Sequence, residues 1–206
     1  MPMLEGIDLQ AMRGERSLFT RLSFQVETGE CLFVQGENGS GKTSLLRMLA
    51  GLTPPSAGTV LWKGSPIQQL RDEFRHELLF CGHLSGLKDE LSAIENLVAG
   101  ALLADDPVGS CLVREALHQA GLQGREDLPV RFLSQGQRRR VSLARLLLQR
   151  RALWILDEPL AALDAQAVRW LAELIDSHLR SGGLAVITSH QDMALVSRPH
   201  VIRIGV

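Results

Sequence analysis

Eight residues constrain this chain more than any others. Gly36-Glu37-Asn38-Gly39-Ser40-Gly41-Lys42-Thr43 reads G-x-x-x-x-G-K-T, a phosphate-binding P-loop. Cys31-Leu32-Phe33-Val34 before it is a short apolar run that predicts a buried strand. Ser44 to Leu49 after it predicts a helix with one apolar face. Glycines at Gly36, Gly39 and Gly41 let the backbone wrap closely around anionic oxygens. Freed N–H groups and the helix N-terminus then supply partial positive charge. In such a loop Lys42 reaches the β- and γ-phosphates, and Thr43 holds Mg²⁺.

The rest of the chain agrees with a strand–loop–helix fold. Residues 4–9 and 22–27 alternate as antiparallel strands do, with Arg13-Gly14-Glu15-Arg16 between them. Further strands are predicted at Thr59–Trp62, Leu78–Cys81, Leu153–Leu156, Leu184–Thr188 and Val201–Ile204. Helices are predicted within 91–124, broken at 105–109, and over Arg138–Gln149 and Gln166–Leu179. This alternation predicts an α/β P-loop NTPase, one domain over 1–206. It has a mixed sheet core, an N-terminal antiparallel β subdomain and a helical subdomain near 84–150. Trp62, Trp154 and Trp170 are expected in packing.

Bulk properties exclude several classes. Lys and Arg total 22 against 23 Asp and Glu, a formal charge of -1, so no nucleic-acid partner is expected. Cys31, Cys81 and Cys111 are odd in number and widely spaced, which fits neither a zinc pattern nor a disulfide framework. The opening Met1 to Gly6 does not read as a signal peptide. No apolar run approaches the roughly 20 residues of a membrane span.

A second set of residues completes the chemistry. The strand Leu153–Leu156 ends in Asp157-Glu158, a carboxylate pair at the edge where open α/β sheets bind ligands. Asp157 is suited to support Mg²⁺, and Glu158 to act as general base on an attacking water. Leu133-Ser134-Gln135-Gly136-Gln137 opens a basic helix. Ser134 with Gln137 has capping-box spacing. The same segment can also be a second anion site, with Ser134 and the Gly136 backbone on a γ-phosphate.

Together these residues resemble the ATP-binding-cassette (ABC) ATPase family, over nearly the whole chain. Leu133 to Gln137 is similar to its LSGGQ signature, with Gln135 in place of a glycine. Pro159 follows Asp157-Glu158 as it does there, Ala162-Leu163-Asp164 resembles the D-loop, and His190 in Thr188-Ser189-His190 resembles the switch histidine. The resemblance implies ATP and Mg²⁺ as ligands and a head-to-tail dimer, in which one subunit's signature completes the other's P-loop site. Two positions depart from the family pattern. His83 stands where a glutamine is usual and can still hydrogen-bond water or touch Mg²⁺. Arg13 falls near the usual adenine-stacking aromatic; a guanidinium plane can stack on a base.

A narrower likeness runs through Val60-Leu61-Trp62, Gly82-His83, Leu128-Pro129-Val130, Arg138 to Val141 and Leu153 to Pro159. These segments resemble the ATP-binding subunits of the bacterial haem exporter used in c-type cytochrome biogenesis. That likeness implies a peripheral subunit on the cytoplasmic face of the inner membrane, bound to membrane-spanning partners and serving a haem chaperone. A soluble ABC-type ATPase, the ATP-binding subunit of another small-cargo transporter, and a P-loop kinase are the alternatives. The signature and switch histidine speak against the kinase. Cys81 and His83 as haem ligands are set aside, since a Cys-x-His pair leaving a buried strand more often packs.

Overall fold

The chain begins with a long antiparallel hairpin. β1 (Leu4–Arg13) pairs with β2 (Arg16–Val26), closing at Arg13↔Arg16 with Gly14 at φ 62 in the turn. Both strands outrun the alternating stretches seen in sequence. The register shifts after Gly6 and again near Ala11, and Asp8 (φ 47) and Arg21 (φ 52) kink the strands, so the alternation breaks while the pairing continues. The chain passes through β3 (Cys31–Gln35) and α1 (Lys42–Leu49), then returns as β4 (Ala57–Trp62) and β5 (Ser65–Pro66). The first sheet has the order β2-β1-β4-β5. In this computed structural model the described residues are 3–190, 193, 195 and 199–205. Met1 and Pro2, part of the opening segment, lie outside them.

The segment after β5 shows no periodicity in its sequence. It forms two short helices, α2 (Ile67–Leu70) and α3 (Asp72–Glu77), hinged at Arg71 with φ 43. β6 (Leu78–Cys81) follows. Next come α4 (Ala93–Leu103), α5 (Ser110–Gln119), a 3₁₀ turn at Val130–Phe132, α6 (Gln135–Leu143) and α7 (Arg145–Leu148). The single helix expected over 138–149 is therefore two. It starts earlier because Ser134 caps it. It is interrupted at Ala144, where the Leu147 N–H bonds the carbonyl only three residues back. β7 (Leu153–Asp157), α8 (Ala165–Arg180), β8 (Leu184–Thr188) and β9 (His200–Arg203) complete the order.

The second sheet has the order β6-β7-β8-β3-β9, and its pairs are parallel. The antiparallel and parallel parts of the predicted mixed core are thus separate sheets. β7 and β8 are buried at every position, which explains their unbroken apolar sequences.

Two units divide the chain: Met1–Gly82 with Arg151–Glu158 and Leu174–Val206, and His83–Arg150 with Pro159–Glu173. The first holds both sheets. Its core joins Leu4, Val60 and Trp62 of the antiparallel sheet to Leu45, Leu46 and Leu49 of α1 and to Ile155 and Val186 of the parallel one. Each such fully buried leucine contributes roughly 2 kcal/mol. Trp62 packs edge-on against Phe74, with centroids 5.8 Å apart. Trp154 stacks on His178 at 3.8 Å.

The second unit is helical and has its own core, including Ile94, Leu97, Leu117, Leu122, Val130 and Val141, with Trp170 packed against it. Ser92 caps α4 through a capping box with Glu95. Buried Glu126 meets His118 and Arg114. Burial opposes its charge, but the backbone N–H groups of Glu126 and Gly124 and the His118 ring outweigh it and hold the carboxyl below its ordinary value. Among the described residues no helix is long and apolar enough to cross a membrane.

Candidate active site

Register brings three strand ends to one level. β7 and β8 pair Asp157 with Thr188, and β3 and β8 pair Val34 with Thr188. The P-loop leaves β3 just beyond that level, at the C-terminal edge of a parallel sheet.

The loop enters α1 through Gly41, whose φ of 106 is left-handed backbone. No side chain caps this helix and no acid occupies its first turn, so its leading N–H groups remain available to an anion. Lys42 is only 8% exposed. Its ammonium donates to the Gly36 carbonyl at 2.8 Å and the Glu37 carbonyl at 3.2 Å, and lies 3.3 Å from His190 Nε2. Glu37, Asn38 and Gly39 form the exposed crest of the loop, whereas Ser40 is buried.

Asp157 is 1% exposed, and its two oxygens divide their partners. Oδ2 accepts from Thr43 Oγ1 at 2.9 Å, and Oδ1 from Thr188 Oγ1 at 2.8 Å. Thr188 Oγ1 also accepts from the Glu158 N–H at 2.9 Å, so one hydroxyl fixes both carboxylate residues. In the sequence Thr188 marks only the end of a strand. The signal that could have found it is a hydroxyl at the end of an otherwise apolar buried strand. Glu158 has φ 47, a strained setting for a non-glycine residue that turns the chain as it leaves β7. Its Oε2 accepts from the His190 N–H at 3.3 Å, and its Oε1 lies 3.4 Å from His190 Nε2. His190 thus stands between the lysine and the carboxylate.

A Thr43 hydroxyl touching a buried carboxylate is a hard-oxygen pair that suits Mg²⁺, which takes few protein ligands and completes its shell with water and phosphate. Among the described residues no group of three or more His, Cys, Asp or Glu could hold a metal ion unaided.

Arg13 lies at the tip of the first hairpin and is exposed. The same hairpin reaches the loop, for a Cβ on Gly41 would stand 3.0 Å from Leu18 Cβ.

The remaining sequence-predicted residues belong to the second unit. His83 is exposed in a bend after β6. Ser134 and Gln137 form the expected capping box. The Gln137 N–H donates to Ser134 Oγ at 3.3 Å, and the Ser134 N–H donates to Gln137 Oε1 at 2.9 Å. Gln135 is exposed beside them. Gly136 has a packing reason to be glycine, because a Cβ there would stand 2.5 Å from the Ala162 carbonyl oxygen. Ala162 has φ 63, and Asp164 two residues on accepts from the Ala167 N–H at 2.8 Å, capping α8. Buried Arg139 of α6 donates to the Pro159 carbonyl at 3.4 Å. The segments that resemble the signature and the D-loop are therefore packed on each other.

The ABC transporter family model matches residues 19–161. The chain is 54% identical over 204 residues to the cytochrome c biogenesis ATP-binding export protein CcmA 1 of Cupriavidus metallidurans, covering 99% of this chain and 98% of that one. It is 54% identical over 203 residues to the protein of that name from Pseudomonas aeruginosa, covering 98% and 100%. A solved nucleotide-free ATP-binding cassette from an ABC transporter superposes with TM-score 0.81 at 21% identity, covering 99% and 88%, a likeness of fold alone. With this strand order, this P-loop and these relatives, the chain belongs to the ATP-binding ABC ATPases, and among them to the cytochrome c biogenesis export proteins.

Proposed function

We propose that the chain hydrolyses ATP to ADP and phosphate as the energising subunit of a membrane complex that handles haem in c-type cytochrome biogenesis. The observation that carries this reading is the continuous contact set Lys42–His190–Glu158 beside Thr43–Asp157–Thr188. It joins a phosphate-binding cation to a general base in one unit, as phosphoryl transfer to water needs.

In this reading the P-loop residues Gly36 to Thr43 wrap the phosphates, and Lys42 exchanges its loop carbonyls for β- and γ-phosphate oxygens. Thr43 and Asp157 hold Mg²⁺, which when bound neutralises charge on those oxygens. Glu158 takes the proton of the attacking water. His190, already bonded to Glu158 through its backbone N–H, orients that carboxylate and senses the γ-phosphate. His83 hydrogen-bonds the same water or its cation shell. Arg13 stacks on the base. Ser134 to Gln137 and Asp164 act in trans, completing the P-loop site of a second copy in a head-to-tail dimer.

The printed names of the relatives supply the context of cytochrome c biogenesis and export. From it we infer a peripheral position on the cytoplasmic face of the inner membrane. The membrane-spanning partners would be CcmB, CcmC and CcmD, and the haem chaperone CcmE would be served indirectly.

The test is a haem stain of c-type cytochromes in host cells whose sole copy carries Lys42→Ala, with b-type cytochromes as control. Selective loss of covalent haem is expected. Normal c-type cytochromes would sink the haem assignment and leave an ABC ATPase of other cargo.

A further inference from the structure

Beyond β9 the chain meets the phosphate loop at Gly36 and Ser40. β3 and β9 pair from Leu32↔His200 to Gln35↔Arg203, and the next N–H, of Ile204, donates to the Gln35 carbonyl at 2.9 Å. This last bond carries Ile204 and Gly205 to where β3 becomes the P-loop. Ile204 is 3% exposed.

Two glycines meet there across one serine. A Cβ on Gly36 would stand 2.5 Å from the Ile204 carbonyl oxygen and 2.5 Å from Ser40 Oγ. A Cβ on Gly205, which has φ +81, would stand 2.6 Å from Ser40 Cβ. Ser40 is 8% exposed and its Oγ has no hydrogen-bond partner among the described residues, so packing fixes it, not a polar contact. Ser40 immediately precedes Gly41, the N-cap of α1, and lies two residues before Lys42. The depth at which Ser40 seats therefore sets the position of both.

We propose that Ile204 and Gly205 form a positioning corner for the phosphate loop, setting its affinity for nucleotide without touching nucleotide. The close approach that requires glycine at 36 and 205 is to protein atoms, so the loop is registered against the sheet by a segment far from it in sequence. An added methyl at 205 would lift Ser40 and displace the Gly41 and Lys42 N–H groups from the shape that receives phosphate.

This inference rests on ATP binding at this loop, and the experiment separates the two. The full chain is titrated with a fluorescent ATP analogue and Mg²⁺, and its thermal unfolding is followed in parallel. Gly205→Ala should weaken binding by roughly tenfold or more. Gly64→Ala is the control for backbone strain, since Gly64 shares a positive φ of +78 but a Cβ there meets nothing within 4 Å. It should lower the unfolding midpoint and leave affinity unchanged. Adding Ser40→Gly to Gly205→Ala removes the atom that the new methyl meets, and should recover affinity relative to Gly205→Ala alone. Wild-type affinity in Gly205→Ala, equal weakening in Gly64→Ala, or no recovery in the double variant would each overturn the proposal. If Gly205→Ala does not fold, Ile204→Val replaces it, with about threefold weakening expected and wild-type affinity again overturning the idea. Lys42→Ala tests the underlying reading: if it binds the analogue as tightly as wild type, the ATP site fails and not the corner.

Discussion

The N-termini of α1 and α6 are built on opposite plans. α1 begins at a left-handed glycine with no side-chain cap, and Lys42 turns its ammonium back onto the carbonyls of its own loop. α6 begins at Ser134, whose hydroxyl and backbone N–H are both engaged by Gln137. The first terminus lacks a partner that an anion supplies; the second is satisfied without one. Binding free energy thus goes to organising the P-loop, while the signature can be presented already formed. In the head-to-tail dimer proposed above this would be an advantage, because only one half has to be shaped by nucleotide before the other half docks.

The comparison can be broken most strongly at Glu158. Glu158→Gln should reduce phosphate release by the assembled complex by about 100-fold or more, while the P-loop still binds ATP. The nucleotide-bound dimer should then accumulate in light scattering. Hydrolysis at the wild-type rate would remove Glu158 as the base.

Gly136→Ala probes the other half. Its methyl would press on the Ala162 carbonyl, so signature and D-loop should both be displaced. We expect ATP affinity of the single chain within about twofold of wild type, with ATP-dependent dimerisation weakened by about tenfold or more. A loss of ATP affinity as large as the loss of dimerisation would mean that the two halves are not independent.

Thr188→Val sharpens the account of the P-loop half. It leaves Asp157 Oδ1 without its 2.8 Å donor and the Glu158 N–H without its acceptor. A loss of about 1–3 kcal/mol in stability is expected, with kcat falling more than KM rises. Unchanged denaturation and turnover would show the shared hydroxyl to be incidental.

The smallest effect is expected far from either terminus. His178 stacks on Trp154 and donates to the Leu184 carbonyl at 3.2 Å, and burial holds its pKa below the ordinary 6.5. As pH falls, the unfolded chain takes this proton first. The contribution is therefore fully present above pH 6.5 and is lost as pH drops below that value. His178→Phe keeps a stacking ring without the titration, and its unfolding midpoint should depend less on pH between neutral and mildly acidic buffer. An identical pH profile would assign the dependence elsewhere.

Much of this was readable from the chain. Leu153–Leu156 and Leu184–Ile187 are unbroken apolar runs because both faces of the parallel sheet are covered. Ser134 and Gln137 announced their own cap. Motif spacing singles out the P-loop residues, Asp157, Glu158 and His190, and the structure brings Lys42, His190 and Glu158 together. Other features need distant partners. The bulges at Asp8 and Arg21 shortened the apparent strands, since alternation stops where a kink begins. α2 and α3 span less than two turns each, too little for any period to show. Thr188 looks like strand filler until register sets it against Asp157. Gly205 is an ordinary turn glycine until Ser40 lies beneath it.

The bond between Thr43 and Asp157 bears on how a catalytic cycle is reset. A buried carboxylate stripped of its cation would hold product tightly, because releasing it would leave a bare charge in a dry cleft. The threonine hydroxyl donates to that carboxylate at 2.9 Å, so in the proposed cycle the protein would supply its own partner for the charge whenever the cation departs. In that cycle spent nucleotide would leave against a smaller penalty, at the expense of some grip on the next molecule. A pump that must fire repeatedly gains more from a quick exit than from the tightest possible hold.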